Sequence, residues 1–154
     1  MILLTSTAQS VELVTSNSES VDWIVSWVDI TDSTFTPNST DGNVAAAATT
    51  TLVAAPAAGA QRQVKHISVR VAGASTNTVT IQKNSGTART IFRVSLATGE
   101  ELQYTDGEGF RVFDANGNLK VTTTPGGGSN INVSAGTTSN NLTAFTFANS
   151  NSVS

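Results

Sequence analysis

Along residues 62–121 apolar and polar side chains alternate almost one for one, and each alternating run ends at Gly, Asn or Asp. A period of two is what a half-buried antiparallel strand requires, because successive side chains point to opposite faces. Ile67, Val69 and Val71 share one face, while His66, Ser68 and Arg70 share the other. Val79 and Ile81 repeat the pattern, followed by Phe92, Val94 and Leu96, then Leu102 and Tyr104, then Phe110 and Val112. Asn116-Gly117 is a strong two-residue hairpin signal for a type I′ turn, where both residues tolerate positive φ. Asn84-Ser85-Gly86 and Thr98-Gly99 suit longer hairpin loops. The block therefore predicts a run of hairpins.

Two further strands are expected before it. Val11 and Leu13 mark the first, with Ile2 and Leu4 as candidate members; Val21–Ile30 (VDWIVSWVDI) is the second. That second stretch is apolar on both faces, with Trp23, Val25 and Trp27 on one and Ile24, Val28 and Ile30 on the other. A strand of this kind must be covered on both sides, either centrally in a sandwich or by another subunit. Residues 32–48 read as a loop, or as an arm crossing to the other sheet or to a neighbour, because Pro37, Asn38, Asp41 and Gly42 are turn formers. Thr49–Ala54 is a short strand. The expected fold is all-β, an antiparallel β-sandwich (jelly-roll-like) over residues 1–124 with an extended N-terminal arm. A Gly/Asn/Ser-rich C-terminal tail occupies 125–154. The tail opens on Pro125-Gly126-Gly127-Gly128 and carries no ionisable side chain, yet Leu142, Phe145 and Phe147 give it strand character. Docking on a partner's sheet edge and a frayed terminus both fit it.

Charge changes the picture. Only 12% of residues are charged, about half the roughly 25% of ordinary soluble domains, and a polar but uncharged surface favours packing between subunits. Residues 1–61 hold six acids and no base, residues 62–120 hold all eight bases against five acids, and the remainder is uncharged. Segments of opposite sign complement one another between subunits, although solvated charge explains them equally well. With no cysteine there is neither a disulfide nor a thiolate metal site. Met1–Leu4 lacks a basic flank and is not expected to act as a signal peptide. No apolar stretch approaches the roughly 20 residues of a membrane span. These features point to a protein made in a cytosol and soluble until it assembles.

Candidate chemistry is sparse. His66, the sole histidine, falls on the polar face of a strand, and no G-x-S-x-G elbow accompanies it. Asp106-Gly107-Glu108-Gly109 and Asp114–Asn118 place oxygen ligands in turns, but the second lacks the length and terminal Glu of a calcium loop. Turn formation explains both. No phosphate-binding loop occurs, and the scattered bases do not form a nucleic-acid stripe. The expectation is a non-enzymatic protein with no cofactor, no metal, no nucleic-acid partner and no membrane.

Several stretches carry a resemblance. They are MILLTSTAQSVELVTS at the start, SWVD (Ser26–Asp29), and R-x-V-K-x-I-S-V-R (Arg62–Arg70) after a Thr/Ala-rich strand ending near Pro56. L-x-x-G-E-x-L-x-Y (Leu96–Tyr104) and GFRVFDANG (Gly109–Gly117) complete the set. Over most of residues 1–122 the chain resembles small β-rich proteins encoded among the virion structural genes of tailed bacteriophages; the tail after Pro125 is unmatched. The resemblance implies a virion component. Head decoration (cement) proteins, often trimeric sandwiches on the capsid, are the leading placement, with the major capsid protein and further copies of itself as partners. Its place would be the phage head surface, after synthesis in the host cytoplasm. A head-fibre, neck or tail module that binds a receptor or carbohydrate is the alternative. The candidate contact residues are Trp23, Trp27 and Phe35 in the arm region and Leu142, Phe145 and Phe147 in the tail.

Overall fold

The computed structural model describes residues 1–120, and ten strands account for their regular structure. These are β1 (Ile2–Leu4), β2 (Ser10–Thr15), β3 (Val21–Ile30), β4 (Phe35–Val44), β5 (Thr49–Val53), β6 (Gln61–Val71), β7 (Asn77–Asn84), β8 (Ala88–Leu96), β9 (Glu101–Thr105) and β10 (Gly109–Phe113). All pairings are antiparallel. One sheet runs β10-β9-β6-β3-β4, with β1 also paired to β6; the other runs β5-β2-β7-β8. The expected all-β antiparallel sandwich is the observed architecture. The chain divides after Thr122 into two units, and the second lies outside the described residues.

One hydrophobic core joins the two sheets. The first sheet contributes Ile2, Leu4, Val21, Trp23, Val25, Val64, Ile67, Val69, Val71, Leu102, Tyr104 and Val112. The second contributes Val11, Leu13, Leu52, Val53, Val79, Ile81 and Leu96. Full burial stabilises each aliphatic side chain by about 1.5–3 kcal/mol, so this cluster dominates the fold. Its residues do not keep one unbroken period. Val64 and Ile67 are both buried although they differ in parity, because β6 carries Lys65 as an extra residue opposite the Ser26/Trp27 step of β3. Leu52 on β5 and Ile91 on β8 are extra residues of the same kind. A β-bulge shifts the phase of every side chain beyond it, which brings Leu52 and Val53 both inward.

Four expectations need correction. Residues 32–48 are not a loop or arm: after the turn at Thr31–Thr34 they form the ten-residue strand β4, paired along its length with β3. The N-terminal residues likewise do not extend as an arm, since β1 and β3 enter one sheet and β2 the other. The block after residue 62 is not a continuous run of hairpins either. β7–β8 and β9–β10 are hairpins, but the connections β6–β7 and β8–β9 change sheets. At the second of these corners Gly99 adopts φ 80° and donates to the Val71 carbonyl, while Val71 donates to that of Glu100. Asn116-Gly117 is not a two-residue turn. Gly117 N–H donates to the Asp114 carbonyl and Asp114 N–H to that of Asn118, giving a three-residue loop with Gly117 at φ 83°.

Buried polar groups lock the other corner. Asn77 is fully buried; its Oδ1 accepts from the Ser16 amide at 3.0 Å, and its Nδ2 donates to the Glu19 carbonyl. The Thr15 hydroxyl donates to the Ala46 carbonyl at 2.6 Å. The β2–β3 and β4–β5 connections are thereby both tied to the β5-β2-β7-β8 sheet.

Candidate functional site

The β3–β4 hairpin is the most open part of the described surface. Thr31 N–H donates to the Thr34 carbonyl at 3.0 Å, so these two residues form a hydrogen-bonded pair around the Asp32-Ser33 turn. Bonded and non-bonded pairs alternate along an antiparallel ladder. The register Ile30↔Phe35 to Asp22↔Asn43 then turns the backbone groups of Phe35, Pro37, Ser39, Asp41 and Asn43 away from β3. β4 ends its sheet, so those groups face the free edge. Pro37 fits there because its missing N–H removes an outward donor and no ladder bond.

The two faces of the hairpin differ. On the inward-facing side, beyond the core, Arg62 grips Asp29 with two bonds, Nε to Oδ1 at 2.6 Å and Nη2 to Oδ2 at 2.9 Å. Its Nη1 donates to the Ala54 carbonyl, its guanidinium lies 4.9 Å from the centre of the Trp27 ring, and Asn38 Nδ2 adds a bond to Asp29. The Arg62 hydrogen bond holds the Asp29 carboxyl below its ordinary range, against a smaller opposing effect of burial. On the outward-facing side, cross-strand pairs place Ile30 beside Phe35 and Val28 beside Pro37. Val28 is buried there without joining the core cluster. Phe35 is 65% exposed and Ile24, on the same face nearer the root of the hairpin in the pair with Asp41, is 55% exposed.

The contact residues expected from sequence separate accordingly. Trp23 is not on the surface: it lies in the core over Gly42, its cross-strand neighbour, where an added Cβ would stand 2.6 Å from Cζ2. Trp27 is half-buried between the core and Arg62. Alternation puts both on the face that the second sheet covers. Phe35 alone of the three reaches solvent. Leu142, Phe145 and Phe147 lie outside the described residues. The strand that presents Phe35 was missed because FTPNSTDGNV has no apolar alternation and only Thr36, Thr40 and Val44 among its ten residues are β-branched; its length matches that of β3 across a short turn.

The residues considered for chemistry are otherwise engaged. Asp106 accepts from Lys65 Nζ at 3.0 Å and from Gln63 Nε2 at 2.7 Å, with the terminal amine 3.8 Å away. Asp114 accepts from the amides of Asn116 and Asn118, which fixes its loop. Both carboxyls are held below their ordinary range, Asp106 chiefly by Lys65 and Asp114 chiefly by the Asn118 amide. His66 is half-buried on β6 opposite Ser26 and Thr105 and has no hydrogen-bond partner among the described residues. No group of three His, Asp or Glu side chains suited to a metal gathers among the described residues.

A second feature lies on the outer face of the β2–β7–β8 sheet. Val14, Ser16, Thr78, Thr80, Gln82 and Arg93 line an open depression there. On the same face the nearly buried Glu12 accepts from Gln82 Nε2 at 2.8 Å, Asn84 Nδ2 at 3.0 Å and the Ser10 hydroxyl at 3.1 Å. The Asn84 and Gln82 bonds lower its pKa without any cation. The chain has no significant match among protein-family models, curated proteins or solved structures.

Proposed function

We propose that the protein is a structural component of a tailed-phage virion, a head decoration (cement) protein that self-associates as a trimer and docks on the major capsid protein. The observation that carries assembly is the β3–β4 hairpin: a ten-residue edge strand without a single lysine or arginine, with Phe35, Ile24 and Ile30 on its open face. Isolated proteins guard long edges with lysine, short strands or a covering element, because an unpaired edge recruits other chains. Here Pro37 and the single charge of Asp41 are the guards on the strand, and apolar side chains accompany the open edge. The sequence resemblance supplies the virion context.

In this reading each copy buries a modest apolar area at about 25 cal/mol per Å², and repetition over the shell makes the total large without a strong single contact. A carbohydrate- or receptor-binding module of a fibre or tail is the second reading, favoured by the hydroxyl- and amide-lined depression with Arg93 at its side. Co-sedimentation with empty phage heads separates the two. Pelleting with heads, lost on Phe35→Asp, supports decoration. Binding to host cells without binding to heads, abolished by Arg93→Ala, supports the module instead.

A further inference from the structure

The two hairpins that end the sheets, β3–β4 and β7–β8, carry opposite charge. β4 and β5 lie together on one side of the sandwich, where β5 approaches both β3 and β4. β8 and β10 lie together on the other, where Phe92 and Phe110 stack with ring centres 4.7 Å apart. The β3–β4 hairpin carries Asp22, Asp29, Asp32 and Asp41 and no base, and of these Asp29 is neutralised by Arg62. The β7–β8 hairpin carries Lys83, Arg89 and Arg93 and no acid. Asp32, Asp41, Arg89 and Arg93 are exposed and have no ion-pair or hydrogen-bond partner among the described residues. Each side also shows one large apolar residue at its free edge, Phe35 on β4 and the bulged Ile91 on β8.

We infer that the β4 edge of one copy seats against the β8 edge of the next, a head-to-tail contact in which Asp32 and Asp41 face Arg89 and Arg93. This deepens the self-association in the proposed function and rests on it. The edges match in length, ten residues against nine, or about 30 Å each. Charge sign excludes the isologous alternatives, since β4 against β4 opposes acids and β8 against β8 opposes arginines. Pro37 offers no outward N–H and Ile91 interrupts β8, so side chains rather than a continuous ladder make the contact, and the sheet does not extend without limit. A heterologous contact closes into a ring when its rotation permits, as a trimer requires.

Charge reversal with light scattering tests the contact. Asp32→Lys with Asp41→Lys in one variant, and Arg89→Glu with Arg93→Glu in another, should each weaken self-association about tenfold or more. All four substitutions in one chain should restore it, with unchanged circular dichroism throughout. Because the chain has no cysteine, Ser39→Cys and Thr90→Cys copies should cross-link only when mixed. Cross-linking of Ser39→Cys copies with themselves overturns the head-to-tail arrangement. An oligomer indifferent to charge reversal that still pellets with heads overturns the edge contact and leaves decoration standing. A chain that stays monomeric at every concentration and ignores heads overturns both.

Discussion

The root and the tip of the β3–β4 hairpin share one ladder and one register yet are held by different forces. At the root, Trp23 fills the core above the side-chain-free Gly42, between Val21 and Val25, all three buried. At the tip, the second sheet no longer covers the strands, and the inward side is closed by Arg62, Asp29, Asn38 and Trp27 instead. Its outward side leaves Phe35 in solvent. The difference teaches that holding a conformation and exposing apolar surface are separable here. Burial at the root fixes the hairpin, the polar clasp holds the tip in shape, and Phe35 at the tip stays exposed, as the proposed contact with another molecule needs. Substitutions can test each layer alone.

The largest effect belongs to the root. Trp23→Ala should destabilise the fold by about 3–5 kcal/mol, read as a fall in the denaturant midpoint. Trp23→Phe should retain the larger share of that stability, because the buried Nε1 has no hydrogen-bond partner to lose. Gly42→Val acts on the same contact from the other strand. Even its first carbon meets the rigid indole at 2.6 Å, so the ring must move, at about 1–3 kcal/mol for an overpacked core. If Gly42→Val melts like the parent, the indole is not seated as described.

The same contrast explains what the sequence could disclose. β6, β7, β9 and β10 were legible because a half-buried strand writes its burial as a period of two, and Val21–Ile30 because ten residues of β-branched and aromatic character admit little else. β4 was not legible: with five exposed residues at its start, no face selects apolar side chains. The bulges at Leu52, Lys65 and Ile91 were hidden too, since one extra residue changes parity without changing composition. Sheet membership was hidden at Thr98-Gly99, because a glycine turn serves a corner and a hairpin alike. Of the candidate contacts among the described residues, Phe35 is the exposed one, although it lies on a paired strand and not on the arm expected from sequence. Trp23 and Trp27 shared parity with Val25, and that parity was itself the sign of core.

The clasp comes next in size. Arg62→Ala removes two charge-assisted bonds to a mostly buried carboxylate, at about 1–3 kcal/mol. Acid should act in the same direction. A carboxyl held below its unfolded pKa contributes stability that is full above the unfolded value and is lost as pH falls through the folded one. For Asp29 that loss begins near its ordinary 3.8 and continues below it. Glu12 and Glu100 add losses of the same sign from their ordinary 4.5. In Arg62→Ala the Asp29 share of this slope should shrink, giving a flatter stability curve below about pH 4 than the parent. Parallel curves for the two proteins would show that the grip on Asp29 does not shift its titration.

The smallest effect on stability, and the one that decides the role of the tip, is expected for Phe35→Ser. The ring is 65% exposed and lies outside the core cluster, so the melting midpoint should stay within about 0.5 kcal/mol of the parent. Association should nonetheless weaken, because an exposed aromatic beside Ile30 on an open edge has apolar area to bury only against another molecule. Sedimentation velocity over a concentration series reads this directly. Loss of the oligomer with an unchanged melt assigns Phe35 to recruitment. Loss of both would mean that the tip belongs to the folding unit and that the separation of root from tip is false. An unchanged oligomer would move the contact elsewhere on the sandwich, first of all to the exposed Ile24 on the same face.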